Sequence, residues 1–575
     1  MVILSERSKS RRSKTRTITG TFHIEQNLVL FRFILSLLGF NDFKSLKNFI
    51  ANEVLNTSFS PESSDDIITP FASALCQNLS SISPSLFSIT LTEDDLLRYD
   101  RNILNYVKQI NIKREIPIKL KYFQYLAALF SEIYFDLLKN KPDEFITSLN
   151  DFAVGKFLPF RYSPEDLDKI AYYMATGSGK TLIAHINYYQ FFHYKPFHPD
   201  HILFITPSAI LSKQHYNELI KSGIPAVIYS ESNSQSLDPE TVLIIEITKF
   251  IEEKTGSGLS VTPDTFEGRN LIFVDEGHKG QRSSERKWKS YRDQLAENGF
   301  VFEYSATFAQ ILDPRESDIF EEYCKSIIYD YSYKYFYLDG YGKDFRVTNI
   351  SNPDSITEDA YIDYMFVANL ISFYEQLKTY QRHYDLAIRY NLKKPLWIFI
   401  GATVSAKSKS EVSDVIDILL RIKKTVEDKD WFLEIADKIL NAKTGLRNPY
   451  GEDVFETHFS NETFSCFRSD PVRFYNKIIN TIFNGPGPLH LFEIKNADGE
   501  IALKTGDNKY FGLVNIGSIS DFKKALGKAG FVLSEDPISS SLFDSITRDD
   551  SHINILIGSK KFIEGWDTWR ITSIG

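Results

Sequence analysis

The run Met174-Ala-Thr-Gly-Ser-Gly-Lys-Thr181 leads a glycine-punctuated turn into a lysine and a hydroxyl. Such a loop cradles phosphate: backbone N–H groups and the start of the next helix point at the anion, and the lysine adds a point charge. On this reading Thr176, Gly177, Ser178 and Gly179 shape the cradle and Lys180 reaches the β- and γ-phosphates. The Thr181 hydroxyl holds Mg2+. Met174 stands where the general pattern G-x-x-x-x-G-K-[ST] has its first glycine. Further along, Leu271-Ile-Phe-Val-Asp-Glu-Gly-His278 ends an apolar run in an acidic pair. Asp275 is expected to hold Mg2+, directly or through water, and Glu276 to orient and deprotonate an attacking water. Alone, each stretch has a plainer account, a Gly/Ser turn before a helix and a solvated strand end. Together they favour a nucleotide site served by ATP and Mg2+.

These groups can meet only if strands and helices bring them to one edge of a sheet. The apolar runs "KIAYYMA", "HILFITP" (201–207), "TVLIIEIT" (241–248), "NLIFVDEG" (270–277) and "GFVFEYSAT" (299–307) alternate with helical stretches. Continuous apolar strands alternating with helices predict an α/β fold with a parallel sheet covered on both faces. Ligands bind such sheets at the carboxyl ends of the strands, which places the acidic pair beside the loop. The same texture returns in "PLWIFIG" (395–401) and "INILIGS" (553–559). Between those two we expect an insertion over about 405–515, helical and charged at first. It closes in a hairpin, "LHLFEIKNADGEIALKTG", around an Asn-Ala-Asp-Gly turn.

The expected organisation is a basic disordered tail over 1–20, a helical region over 21–114, one α/β domain over 115–345 and a second over 346–575. A length of 575 residues fits two to four domains. Net charge is −9, so the chain is no basic nucleic-acid coat, although a local basic channel needs no basic total. The three cysteines, Cys76, Cys324 and Cys466, have no metal-ligand spacing, and a reducing cytoplasm suits them. No apolar run reaches the ~18 residues of a membrane helix, and the basic start is not followed by a signal-peptide core, so no membrane partner is expected.

The motifs in their order resemble superfamily 2 helicases and translocases, and among them the restriction (Res) subunit of type III restriction enzymes. "MATGSGKT" looks like motif I, in a branch that carries Met at the first glycine position, and "DEGH" like motif II in its DEAH-type form. "FITPSAILSKQ" resembles motif Ia, "EITKF" the surroundings of motif Ib, "SAT" (305–307) motif III, "WIFIGATVS" motif IV and "KFIEGWD" motif V. The resemblance spans about 115–575 and implies two RecA-like P-loop domains with parallel sheets. It implies that Gln124, in "LKYFQYLAALF", reads adenine, and that Gly565 and Asp567 face the nucleotide from the second domain. Ser305, Thr307 and His278 would couple the ATP site to the nucleic-acid track. Thr206, Pro207 and Thr248 would line one strand's phosphate backbone, with Phe399 and Gly401 near the track. Such backbone contacts grip without reading sequence. The implied partner is DNA, duplex in form, with a methyltransferase or specificity subunit as a further partner, and the implied setting is restriction or other phage defence.

The family's last motif, with a glutamine and two arginines, has no counterpart in this sequence: no Q-x-x-G-R-x-x-R pattern occurs, and "QRSSER" directly follows motif II. We therefore expect a C-terminally incomplete second domain. A chain without that arginine finger would bind ATP and hydrolyse it poorly, acting as a DNA-binding switch or scaffold. For a nuclease the nearest pattern is Glu493-Ile-Lys495 with Asp470 upstream, which an edge strand of alternating charge explains better. An unrelated P-loop kinase gives no reason for a second α/β domain.

Overall fold

The computed structural model describes residues 24–54, 68–81, 88–156, 158–230, 239–251, 263–277, 286–312, 317–342, 344, 349–401, 410–516, 519–548, 550–559 and 568–574. They fall into two compact units, one up to Asp344 and one from residue 345 on. The expected tail over 1–20 lies outside the described residues.

Among the described residues, six α-helices open the first unit: α1 (Val29–Leu37), α2 (Phe43–Val54), α3 (Pro70–Ser81), α4 (Glu93–Asn111), α5 (Tyr122–Asn140) and α6 (Pro142–Gly155). Two of their starts show familiar N-terminal signals. The Thr92 hydroxyl accepts the Asp95 N–H while Asp95 reaches back to the Thr92 N–H, and Pro142 occupies the first turn of α6. Seven strands follow: β1 (Lys169–Met174), β2 (His201–Thr206), β3 (Ala226–Ile228), β4 (Val242–Glu246), β5 (Asn270–Asp275), β6 (Phe300–Ser305) and β7 (Ile327–Tyr331). Between and after them run α7 (Lys180–Tyr194), α8 (Ala209–Lys221), α9 (Thr248–Ile251), α10 (Arg286–Leu295), α11 (Ser317–Ser326) and α12 (Tyr333–Leu338). The strand order is β3-β4-β2-β5-β6-β1-β7, every pair parallel.

Both faces of this sheet are covered, as its apolar runs require. Ile202 and Phe204 point into one core with α1, α5 and α7, while Leu203 and Ile205 point into a second with Leu243, Ile245 and Leu295. The front helices share the first of these cores; Phe31 meets Tyr329 of β7 edge-on, with 6.2 Å between ring centroids. A buried polar chain ties them to the sheet. Asn187 donates to the Tyr172 hydroxyl (2.8 Å) and accepts from Tyr304 (2.7 Å), and Gln190 donates to Glu132 of α5 (2.8 Å).

The second unit contains α13 (Glu358–Arg382), α14 (Tyr384–Arg389), β8 (Leu396–Gly401), α15 (Ser410–Glu427), α16 (Lys429–Leu440), α17 (Asn461–Ser469) and α18 (Pro471–Ile482). Six more strands complete its sheet: β9 (Leu489–Ile494), β10 (Glu500–Thr505), β11 (Gly512–Asn515), β12 (Leu533–Asp536), β13 (Ile555–Ser559) and β14 (Ile571–Ile574). The order is β12-β9-β10-β11-β13-β8-β14. The second sheet is mixed: β10 runs antiparallel to both of its neighbours, while the other pairs are parallel. The Asn496–Gly499 turn reverses the chain between β9 and β10; in it Gly499 takes φ 81° and a Cβ would lie 2.4 Å from the Ile516 carbonyl. The hairpin of the expected insertion is thus built into the sheet.

Candidate nucleotide site

β1 ends at Met174, and the chain turns through residues 175–179 into α7. Met174 is fully buried strand in the main core and needs no left-handed backbone, which is why a large apolar residue is accepted at the first glycine position. The two glycines that remain are required. Gly177 and Gly179 take φ 82° and 98°, and a Cβ on Gly179 would lie 2.5 Å from Gln124 Nε2. Ser178 is buried, its N–H and hydroxyl both donating to the Ala175 carbonyl (3.1 and 2.7 Å), while Thr176 and Gly177 form the exposed rim. Lys180 Nζ reaches back over the loop to the Met174 carbonyl (3.5 Å). Gln124 braces the loop from behind. Its Oε1 accepts the Lys121 N–H at the start of α5 (2.9 Å) and its Nε2 donates to the Ser178 carbonyl (3.0 Å).

Strand register sets the acidic pair beside this loop. β6 lies between β1 and β5, with Tyr173 opposite Ser305 and Asp275 opposite Tyr304, so Met174, Ser305 and Asp275 end at one carboxyl edge. Asp275 is held at both oxygens: Oδ2 meets His215 Nε2 at 3.0 Å and Oδ1 accepts the Glu276 N–H at 3.0 Å. Burial pushes this carboxyl up, but the His215 hydrogen bond and the charges of His215 and Lys180 outweigh it and hold the group below the usual carboxylate range. Thr181, at the first turn of α7, and an ionised Asp275 are the hard oxygen donors that Mg2+ prefers, and the donor set fits.

Glu276 adopts φ 55°, a left-handed conformation costing roughly 1–2 kcal/mol for a residue with a Cβ. The next residue anchors it. The Gly277 N–H donates to the Tyr304 carbonyl (3.0 Å), and the Gly277 carbonyl accepts from the Tyr323 hydroxyl (3.3 Å). Beneath lies a buried ionic layer. Glu303 meets Arg292 (2.8 Å), Lys169 (3.1 Å) and the Tyr323 hydroxyl (2.7 Å), and Arg292 also meets Glu322 (2.9 Å). Glu303 and Arg292 are both almost fully buried, so each charge depends on its partners. Neither the His215 contact nor this layer was visible in the motifs. The one signal was a Glu in the apolar run "FVFEYS", where a strand buried on both faces has no place for an unpaired charge.

The remaining candidates are placed unevenly. Ser305 is buried, and its hydroxyl accepts the Thr307 N–H (3.0 Å), fixing the turn after β6. Thr206 is fully buried, and its hydroxyl meets Ser212 Oγ at 2.6 Å, which ties β2 to α8. Pro207 and Ala209 form the accessible surface there. Phe399 also turns inward, stacked on Phe366 and against Trp397 in the core. Gly401 ends β8 opposite Ser559. Thr248 begins α9, and its side chain, with His278, Gly565 and Asp567, lies outside the described residues. Glu493 pairs with Lys495 and Lys523 (2.9 and 2.7 Å), which accounts for that carboxylate without a metal. Among the described residues there is no cluster of three or more metal-ligating side chains and no helix long and apolar enough to cross a membrane.

A parallel sheet with a phosphate loop after β1, an acidic pair after β5 and a Ser-Ala-Thr turn on the strand between them defines a RecA-like α/β unit. Residues 140–310 match the family model described as type III restriction enzyme, res subunit. No curated protein sequence matches the chain. Among solved structures it is similar to the Sulfolobus solfataricus SWI2/SNF2 ATPase core in complex with dsDNA, at 11% identity, covering 78% of this chain and 79% of that one with a TM-score of 0.27. It is also similar to S. cerevisiae Dbp5 bound to RNA and ADP BeF3, at 12% identity, covering 55% and 71% with a TM-score of 0.27.

Proposed function

We propose that this chain is an ATP-driven motor on duplex DNA, acting in restriction or another form of phage defence. The observation that supports the ATP reading is that strand register brings the phosphate loop after Met174 and Asp275 to one carboxyl edge of the sheet, where the Lys180 charge helps hold the Asp275 carboxyl below its usual range. In this reading Gly177, Gly179 and the first turn of α7 cradle the phosphates, Lys180 neutralises them, and Thr181 and Asp275 hold Mg2+. When bound, Mg2+ supplies charge neutralisation on the phosphate oxygens. Glu276 accepts the proton of the attacking water, and its left-handed backbone aims it away from the strand. Gln124 recognises the base side of the nucleotide, and its bond to Ser178 links that contact to the loop. Ser305 and Thr307 report the state of the site to the track surface around Pro207 and Thr248. Gly565 and Asp567 complete the nucleotide contacts.

The motor reading is tested by displacement of a triplex-forming oligonucleotide from duplex DNA. The chain should displace it in the presence of MgATP and not with a non-hydrolysable analogue. ATP hydrolysis without displacement, on duplex and single-stranded tracks alike, contradicts the translocation claim.

A further inference from the structure

Asp275 is the proposed metal carboxylate, yet no motif names the group that holds it. That group is His215, on α8, the helix that leaves the end of β2. Its Nε2 lies 3.0 Å from Asp275 Oδ2, and its side chain is 5% exposed against 14% for Asp275. The imidazole packs on Phe204 with ring centroids 4.4 Å apart, which fixes its plane. Its Nδ1 is buried with no hydrogen-bond partner among the described residues, so Asp275 receives its one polar contact. The other carboxylate oxygen takes the Glu276 N–H. The carboxylate therefore has its rotation fixed from two sides, one from the backbone and one from α8.

We propose that His215 is the positioning residue of the metal carboxylate, setting the orientation in which Asp275 meets Mg2+. This rests on the nucleotide-site reading above. Groups that hydrogen-bond a ligating carboxylate fix its geometry, and losing one typically lowers metal affinity about 10–100-fold. Helix α8 is itself pinned to the end of β2 by the bond between Thr206 and Ser212, three residues before His215 in the chain. The segment reading as motif Ia and the metal carboxylate are thus joined through one helix.

The test compares His215→Gln with His215→Asn in the full chain. Glutamine places an amide donor at nearly the reach of the imidazole Nε2, whereas asparagine has the same chemistry on a shorter arm. Binding of a fluorescent ATP analogue is titrated against Mg2+ and repeated in EDTA. The expected result is a Mg2+ requirement raised about 10–100-fold in His215→Asn and restored to near wild type in His215→Gln, with affinity in EDTA unchanged in both. Equal Mg2+ curves for the two variants, at whatever level, overturn the proposal, because a merely structural role does not separate them. A wild-type chain that binds no nucleotide with or without Mg2+ overturns the nucleotide-site reading and this proposal together.

Discussion

Gly277 lies directly against Glu303: a Cβ at Gly277 would come within 3.0 Å of Glu303 Oε2 and 3.1 Å of its Cβ. The third position of the acidic motif is therefore glycine because a buried carboxylate occupies the space a side chain would take. That carboxylate cannot easily move, being held by Arg292, Lys169 and Tyr323.

Gly277→Ala should consequently destabilise the first unit by about 1–3 kcal/mol in urea unfolding, the usual result of overpacking a tight site. It should also shift the backbone that carries Glu276 and lower turnover more than nucleotide affinity. Tyr323→Phe, which removes only the hydroxyl between Glu303 and the Gly277 carbonyl, should act in the same direction more mildly. Wild-type stability and turnover in Gly277→Ala would show that Glu303 yields and that the steric account is wrong.

The polar chain between α7 and the sheet makes a separate prediction. Asn187 is fully buried, and its amide satisfies the hydroxyls of Tyr172 and Tyr304. Asn187→Leu keeps the volume but strands the Tyr304 hydroxyl, at a cost of about 1–3 kcal/mol. Adding Tyr304→Phe removes the stranded group, so the double variant should recover part of the loss. A double variant no more stable than the single one would contradict this assignment.

Glu132 gives a pH signature. Burial raises its carboxyl from 4.5 to about 7, against the lowering effect of hydrogen bonds from Asn102, Gln190 and Tyr194. The folded state therefore binds more protons than the unfolded one between those values. Its contribution is full below pH 4.5 and is lost as pH rises to about 7. At about 1.36 kcal/mol per unit, wild type should lose roughly 3 kcal/mol relative to Glu132→Gln across that window. Urea unfolding of both proteins at several pH values measures the difference, and parallel stability curves would rule the titration out.

The parts of this molecule that could be read from the sequence are those in which neighbouring residues carry the signal. The apolar runs mark five of the seven strands of the first sheet, all but β3 and β7, and the phosphate loop and acidic pair are contiguous segments at strand ends. What escaped depends on contacts between segments far apart in the chain. His215 meets Asp275 only because α8 folds back over β2 and β5, and the Glu303 layer needs α10, α11 and β1 together. The burial of Thr206 is hidden from the sequence for a related reason. A hydroxyl at a strand end reads as surface, and only the position of Ser212 on the next helix turns it inward. The reversed strand β10 follows from pairing partners, since alternation is the same in either direction.

The most direct test of the central claim is ATP turnover measured with and without duplex DNA, in wild type and in Glu276→Gln. The account predicts turnover that duplex DNA stimulates, falling about 10²–10⁴-fold in Glu276→Gln while MgATP binding persists. ATP binding with no turnover in either condition would instead mark a nucleotide switch, and DNA-independent turnover would mark a different P-loop enzyme. Undiminished turnover in Glu276→Gln would remove Glu276 as the base.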